Sequence, residues 1–151
     1  MKYLIFITLI TFLYSCNNSD SQDLLPIITK TKTNGQKVKK YLDNDTFLDV
    51  DVQALLKQKC IPSSRSTLNE KDALCKMKAA IYRFYSHVKI KDGKYSCSLT
   101  NAREINISNQ LFSTLRQNLE SGNVWIEKCK KEGKEIVIPE INEEYLNSLL
   151  Q

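Results

Sequence analysis

The apolar positions of the chain fall into blocks with different periods, and each period names an element. Leu74, Met77, Ile81, Phe84, Tyr85 and Val88 recur every three or four residues, the spacing of one helix face. Thr67-Leu68-Asn69-Glu70 precedes them, a capping-box pattern in which hydroxyl and carboxylate satisfy the first free amides. The spacing therefore predicts a long amphipathic helix over 67–87. Val88-Lys89-Ile90-Lys91 and Lys94-Tyr95-Ser96-Cys97-Ser98-Leu99 then flank Asp92-Gly93, a dipeptide that tolerates the positive φ of a type I′ turn, so a β-hairpin follows. Ser108 stands as N-cap before Leu111, Phe112, Leu115 and Leu119, with Gly122 expected to stop that helix.

Other blocks admit two periods. Leu48, Val50 and Val52 alternate with Asp49 and Asp51 as in a strand, while Val52, Leu55, Leu56 and Cys60 keep helical spacing. A helix over 50–59 is expected, capped by Asp49, with Asp51 in its positive first turn and Pro62 beyond its end. Val124 to Ile138 reads either as a helix to Lys131 and a strand over 135–138, or as a hairpin turning at Glu132-Gly133; the first is preferred. Pro139 ends the strand, and Ile141, Tyr145, Leu146, Leu149 and Leu150 form a last amphipathic helix. The sum is an α+β, helix-rich small domain over 46–151.

The N-terminus carries a different signal. Leu4 to Leu13 is an apolar run behind Lys2, too short for the ~20 residues that span a bilayer and suited to a signal-peptide core. It ends in Leu13-Tyr14-Ser15-Cys16, which resembles the lipobox of bacterial lipoproteins, with Tyr14 bulkier than that pattern usually carries. The resemblance implies that residues 1–15 are removed and that Cys16 is joined to diacylglycerol, with palmitate-like chains holding the protein on the membrane. Two or three chains make such an attachment effectively permanent. Asn17 in second place resembles lipoproteins sorted to an outer membrane, facing the periplasm or the cell surface. Residues 16–45 are expected to be a polar tether, with a short strand at Leu25–Thr29 and with Lys30, Lys32, Lys37, Lys39 and Lys40 near the bilayer.

Composition limits the chemistry. With four glycines and three prolines in 151 residues, glycine-cradled phosphate sites and collagen are excluded. Twenty-two basic against seventeen acidic residues make the chain mildly basic. Export leaves Cys60, Cys75, Cys97 and Cys129 as an even set, read as two disulfides, Cys60 with Cys75 and Cys97 with Cys129. Zinc lacks a C-x-x-C pair and has only His87 beside the thiols, so no metal or other cofactor is expected. Asp43, Asp45, Asp49 and Asp51 lack the glycine and the closing glutamate of a calcium loop.

No residues assemble a nucleophile with a base: His87 ends a helix, and Ser63-Ser64-Arg65-Ser66 lacks any G-x-S-x-G frame. Asp49/Asp51 and Glu143/Glu144 are acidic pairs that would serve a small envelope hydrolase only by converging in a cleft. A ligand carrier would need an apolar pocket between the long helix and the hairpin. Lys76, Lys78, Arg83, Lys89, Lys91 and Lys94, interleaved with Tyr82, Phe84 and Tyr85, resemble a nucleic-acid face only in composition, and export makes that partner unsuitable. The expectation is a lipid-anchored, non-catalytic domain that binds an envelope protein, an inhibitor or immunity-type lipoprotein being one version. Trp125, Tyr82, Tyr85 and Tyr145 are the candidate contact residues.

Overall fold

The computed structural model describes residues 33, 35–57 and 68–150. The apolar run 4–13, Cys16, Leu25–Thr29, Lys30, Lys32, Cys60, Pro62, Ser63–Ser66 and Thr67 lie outside them. In order come α1 (Gly35–Lys39), α2 (Val52–Lys57), α3 (Leu68–Tyr85), β1 (Val88–Lys91), β2 (Lys94–Cys97), a 3-10 turn (Ala102–Ile105), α4 (Asn109–Lys131) and α5 (Glu143–Ser148). Helices plus one two-stranded antiparallel sheet make the class α+β.

Helix α3 is the centre. It touches α1, α2, the 3-10 turn and α4, while β2 rests on α4. Cys75, Met77, Lys78, Ala79, Ala80, Ile81, Arg83, Phe84 and Tyr85 are all buried, so its second half has no wet face. This half packs as a core helix with only Tyr82 half-buried, while Asn69 and Lys71 keep the first half exposed on one side. Small Ala79 and Ala80 let neighbouring backbones approach where large side chains would hold them off. The helix ends at Tyr85, two residues short of expectation, as the Ser86 and His87 amides donate to the Tyr82 and Phe84 carbonyls.

Lys78 lies wholly inside, and burial pushes its ammonium below the ordinary lysine range. The folded state thus binds this proton less tightly than the unfolded chain does. The penalty is fully present below the folded-state value and fades as pH rises toward the ordinary one, so Lys78 makes stability climb with alkalinity. Lys78→Met is expected to flatten this climb, as measured by unfolding at pH 7 and pH 9.5.

The alternation of Leu48, Val50 and Val52 prevails over the helical reading up to residue 51: all three are buried, and Asp49 and Asp51 face solvent. Leu48 forms a parallel bridge to Ile107 through Leu48 N–H to Asn106 O (3.0 Å) and Ser108 N–H to Leu48 O (2.9 Å). Asp51, rather than Asp49, caps α2 by accepting the Ala54 N–H at 2.9 Å. The 3-10 turn is fixed by a capping box between Asn101 and Glu104 and leaves through Asn106 at φ 50°.

The hairpin forms in the expected register, Lys91 opposite Lys94 and Val88 opposite Cys97, with Asp92 at φ 53° and Gly93 at φ 70°. Ser108 caps α4 as the sequence indicates. Gly122 does not stop it, because Leu111, Leu115, Leu119, Ile126 and Cys129 continue one buried stripe past it. The stop is Gly133 at φ 67°, where Gly133 N–H meets Lys130 O (3.1 Å) and Lys134 N–H meets Cys129 O (3.0 Å), a Schellman ending. A Cβ at Gly122 would touch nothing within 4 Å. Gly122→Ala is therefore expected to stabilise the protein by about 0.5–1 kcal/mol in urea unfolding.

Two further expectations are corrected. Residues 135–138 form no strand: Val137 is 69% exposed and, among the described residues, no neighbouring strand pairs with them. The folded part begins well before residue 46, since Val38 and Tyr41 are in the core and Gly35 packs on the Leu150 carbonyl. Tyr41 is clasped to α3 by its hydroxyl, which donates to Asp72 at 2.6 Å, while Lys40 and Lys76 bridge to the same carboxylate. The section expected to be tether thus supplies the strap that closes one side of α3.

Candidate functional site

Cys75, Cys97 and Cys129 are free thiols, so the expected Cys97–Cys129 disulfide is not formed, and Cys75 is likewise unbridged. Cys129 belongs to the core stripe of α4 and Cys97 closes β2, so each packs as a small apolar group where its own element places it. Burial raises the Cys75 thiol above its usual range, which keeps it protonated and inert.

The acidic pairs do not converge. Asp49 and Asp51 are exposed, with Asp51 occupied as a cap; Glu143 and Glu144 stand in solvent in the first turn of α5. His87 is exposed beyond α3, its carbonyl taking the Ser98 N–H. Among the described residues no three His, Cys, Asp or Glu side chains gather as a metal site would require. The hydrolase reading has nothing left to rest on in the pairs singled out for it.

The carrier reading is answered by packing. Phe84 meets Tyr85 edge-on at 5.5 Å and Phe112 at 5.8 Å, and Val88, Leu99, Tyr95 and Cys97 complete a filled core under the hairpin. Of the aromatic contact candidates, Tyr85 is buried and unable to anchor a partner; burial, and behind it the nearby Tyr145, Tyr95 and Cys97, push its hydroxyl far above the ordinary range. Tyr82 and Tyr145 are half-buried against the core, and Trp125 is half-buried on α4. Lys78 and Arg83 leave the basic–aromatic face altogether by being buried.

The concave surface lies elsewhere, along the second half of α4 beside the hairpin tip. Lys94, Glu120, Asn123, Val124, Glu127, Lys128, Lys131 and Glu132 line a groove of about 670 Å³. Two polar links tie α4 to the hairpin beside it. The Asn123 side chain accepts from Tyr95 N–H (2.8 Å) and donates to Tyr95 O (2.9 Å), reading the backbone of β2 as another strand would. Lys130 Nζ donates to Gly93 O at 3.0 Å. In the groove Glu127 meets Lys94 at 3.3 Å, and Lys130 approaches the same carboxylate at 3.8 Å from outside the lining; Glu120, Lys128, Lys131 and Glu132 make the lining charges mixed in sign. Glu132 is held below the usual carboxylate range by its hydrogen bond to Lys134.

Mixed charge around Val124, 60% exposed, suits a polar protein surface better than a small anion or an apolar ligand. Sequence patterning missed the groove because it depends on α4 continuing past Gly122. Asn123→Ala should leave both Tyr95 backbone groups unpaired, lower stability by about 1–2 kcal/mol and speed Tyr95 amide exchange well before the core opens.

No protein-family model matches this chain, and no characterised protein or solved structure is significantly similar to it. Among the described residues no helix is long and apolar enough to cross a membrane.

Proposed function

We propose that the protein is a lipid-anchored protein of the bacterial cell envelope, attached through Cys16 and on the outer membrane where the cell has two, whose domain binds another envelope protein and performs no chemistry of its own. The observation that carries this reading is the apolar run 4–13 ending in Leu-Tyr-Ser-Cys. The groove on α4, with its balanced charges and exposed Val124, supports the binding half and suits an inhibitor or immunity-type role. Of the free thiols, Cys75 and Cys129 are only 3% and 5% exposed and so are shielded from oxidants in that location, whereas Cys97 is half-buried.

The test is metabolic labelling with palmitate and intact mass of the protein from bacterial envelopes. Label on the wild type, none on Cys16→Ser, and a mass lacking residues 1–15 are expected. An unlabelled chain with its initiator end intact overturns the anchor. For the binding half, a photo-crosslinker at Val124 should give one discrete adduct in envelopes while one at Lys39 gives none; equal smears from both overturn it.

A further inference from the structure

The hairpin has two edges, and the molecule treats them differently. In an antiparallel ladder, residues that exchange hydrogen bonds alternate with residues that do not. Ser98 N–H donates to His87 O, and both backbone groups of Tyr95 are taken by Asn123. The bonded pairs are therefore Lys89 with Ser96 and Lys91 with Lys94, whereas Ile90 opposite Tyr95 is a non-bonded pair. On the β2 side, α4 covers the outward groups of Tyr95 through Asn123. On the β1 side, the N–H and C=O of Ile90 point away from β2, and among the described residues none caps them. Lys89, Ile90 and Lys91 are all exposed.

The side chains add a charge. Lys89, Lys91 and Lys94 stand on one face of the hairpin, with Lys91 directly opposite Lys94. Like charges facing each other across a ladder are destabilising. Lys94 finds Glu127, which leaves the β1 lysines as the basic margin of an open strand edge. Lysines there repel a second copy of the same edge, which blocks self-pairing. They favour an added strand whose acidic residues fall opposite them.

We propose that the β1 edge is a docking site for an extended acidic segment of a partner protein, which adds as a third strand by pairing with the backbone of Ile90. Because side chains alternate along a strand, the partner carries acidic residues opposite Lys89 and Lys91 and an apolar residue opposite Ile90, whose side chain is 37% exposed. This surface is separate from the α4 groove and requires no lipid at Cys16, so it stands or falls apart from the anchor.

The test uses the detergent-solubilised protein and two synthetic peptides, acetyl-Glu-Val-Glu-Val-Glu-amide and its Lys-Val-Lys-Val-Lys counterpart. The acidic peptide is expected to slow Ile90 amide exchange at least tenfold at low salt, with the effect lost at high salt; the basic peptide should not. Lys89→Glu with Lys91→Glu should reverse the preference. Ile90→Pro, read by fluorescence anisotropy of the labelled acidic peptide because that position then has no amide, should abolish binding with the hairpin intact, since the lost N–H belongs to the outer edge. Equal protection by both peptides, no protection at millimolar peptide, or acidic-peptide binding that survives Ile90→Pro overturns the proposal. So does protection that grows with protein concentration alone, which would mean self-pairing. Binding of phosphatidylglycerol vesicles that reverses with salt and outcompetes the peptide would assign the lysines to a membrane surface and overturn it too.

Discussion

Arg83→Ala is expected to cost about 3–5 kcal/mol in urea unfolding, a large share of the roughly 5–15 kcal/mol that holds a domain of this kind folded. Arg83 is 2% exposed and, among the described residues, no carboxylate lies within hydrogen-bonding distance of its guanidinium; its partners are carbonyls. Nε and Nη2 donate to Tyr41 O at 3.0 and 2.7 Å, and Nη1 donates to Ile105 O at 2.9 Å and Thr46 O at 3.1 Å. One side chain thus closes the ends of three segments: the strap after α1, the loop before Leu48 and the 3-10 turn. Burial lowers its proton affinity, and Asp43 and Asp45 offset part of that.

Alanine leaves those carbonyls inside without donors, each an unsatisfied group costing about 1–3 kcal/mol. Arg83→Lys keeps the charge but not the planar fork and is expected to recover under half the loss. Arg83→Met keeps the stem and should fare no better than lysine. If alanine and methionine both unfold within 1 kcal/mol of the wild type, the three segments are held by something else.

Arg83 also shows where sequence reading ends. By period it belongs with the basic residues of a wet helix face, and nothing local reveals that carbonyls of residues 41, 46 and 105 will surround it. The legible features are those set within a few residues, the Asp92-Gly93 turn and the Ser108 cap, whereas the helix expected from residue 50 gives way to the alternation at Leu48, Val50 and Val52. Gly122 misleads because its helix penalty, about 1 kcal/mol, is small beside the burial of Ile126 and Cys129 beyond it.

Residues 135–138 mislead in the opposite direction, since β-branched residues make a strand only where a neighbour supplies the ladder. Of the candidate surfaces, the hairpin was visible but its open edge was not. Which edge is covered depends on Asn123 reaching β2 from 28 residues away.

Phe84→Ala should cost about 3–5 kcal/mol by a different route, loss of packing rather than of hydrogen bonds. Phe84 is fully enclosed, and its ring meets two others edge-on, Tyr85 at 72° and Phe112 at 73°. Phe112 is on α4 and is only half-buried, so this triad is where the central helix grips the helix that carries the groove. Phe84→Leu, which keeps most of the volume, is expected to lose about 1–1.5 kcal/mol. The two variants separate burial from geometry: a leucine as damaging as the alanine would mean that the edge-on contacts dominate. Because α4 also presents Asn123 to β2, the alanine variant should speed Tyr95 amide exchange more than the global loss of stability accounts for. A variant in which Tyr95 exchange merely tracks global unfolding would show that α4 and the hairpin are not coupled through this triad.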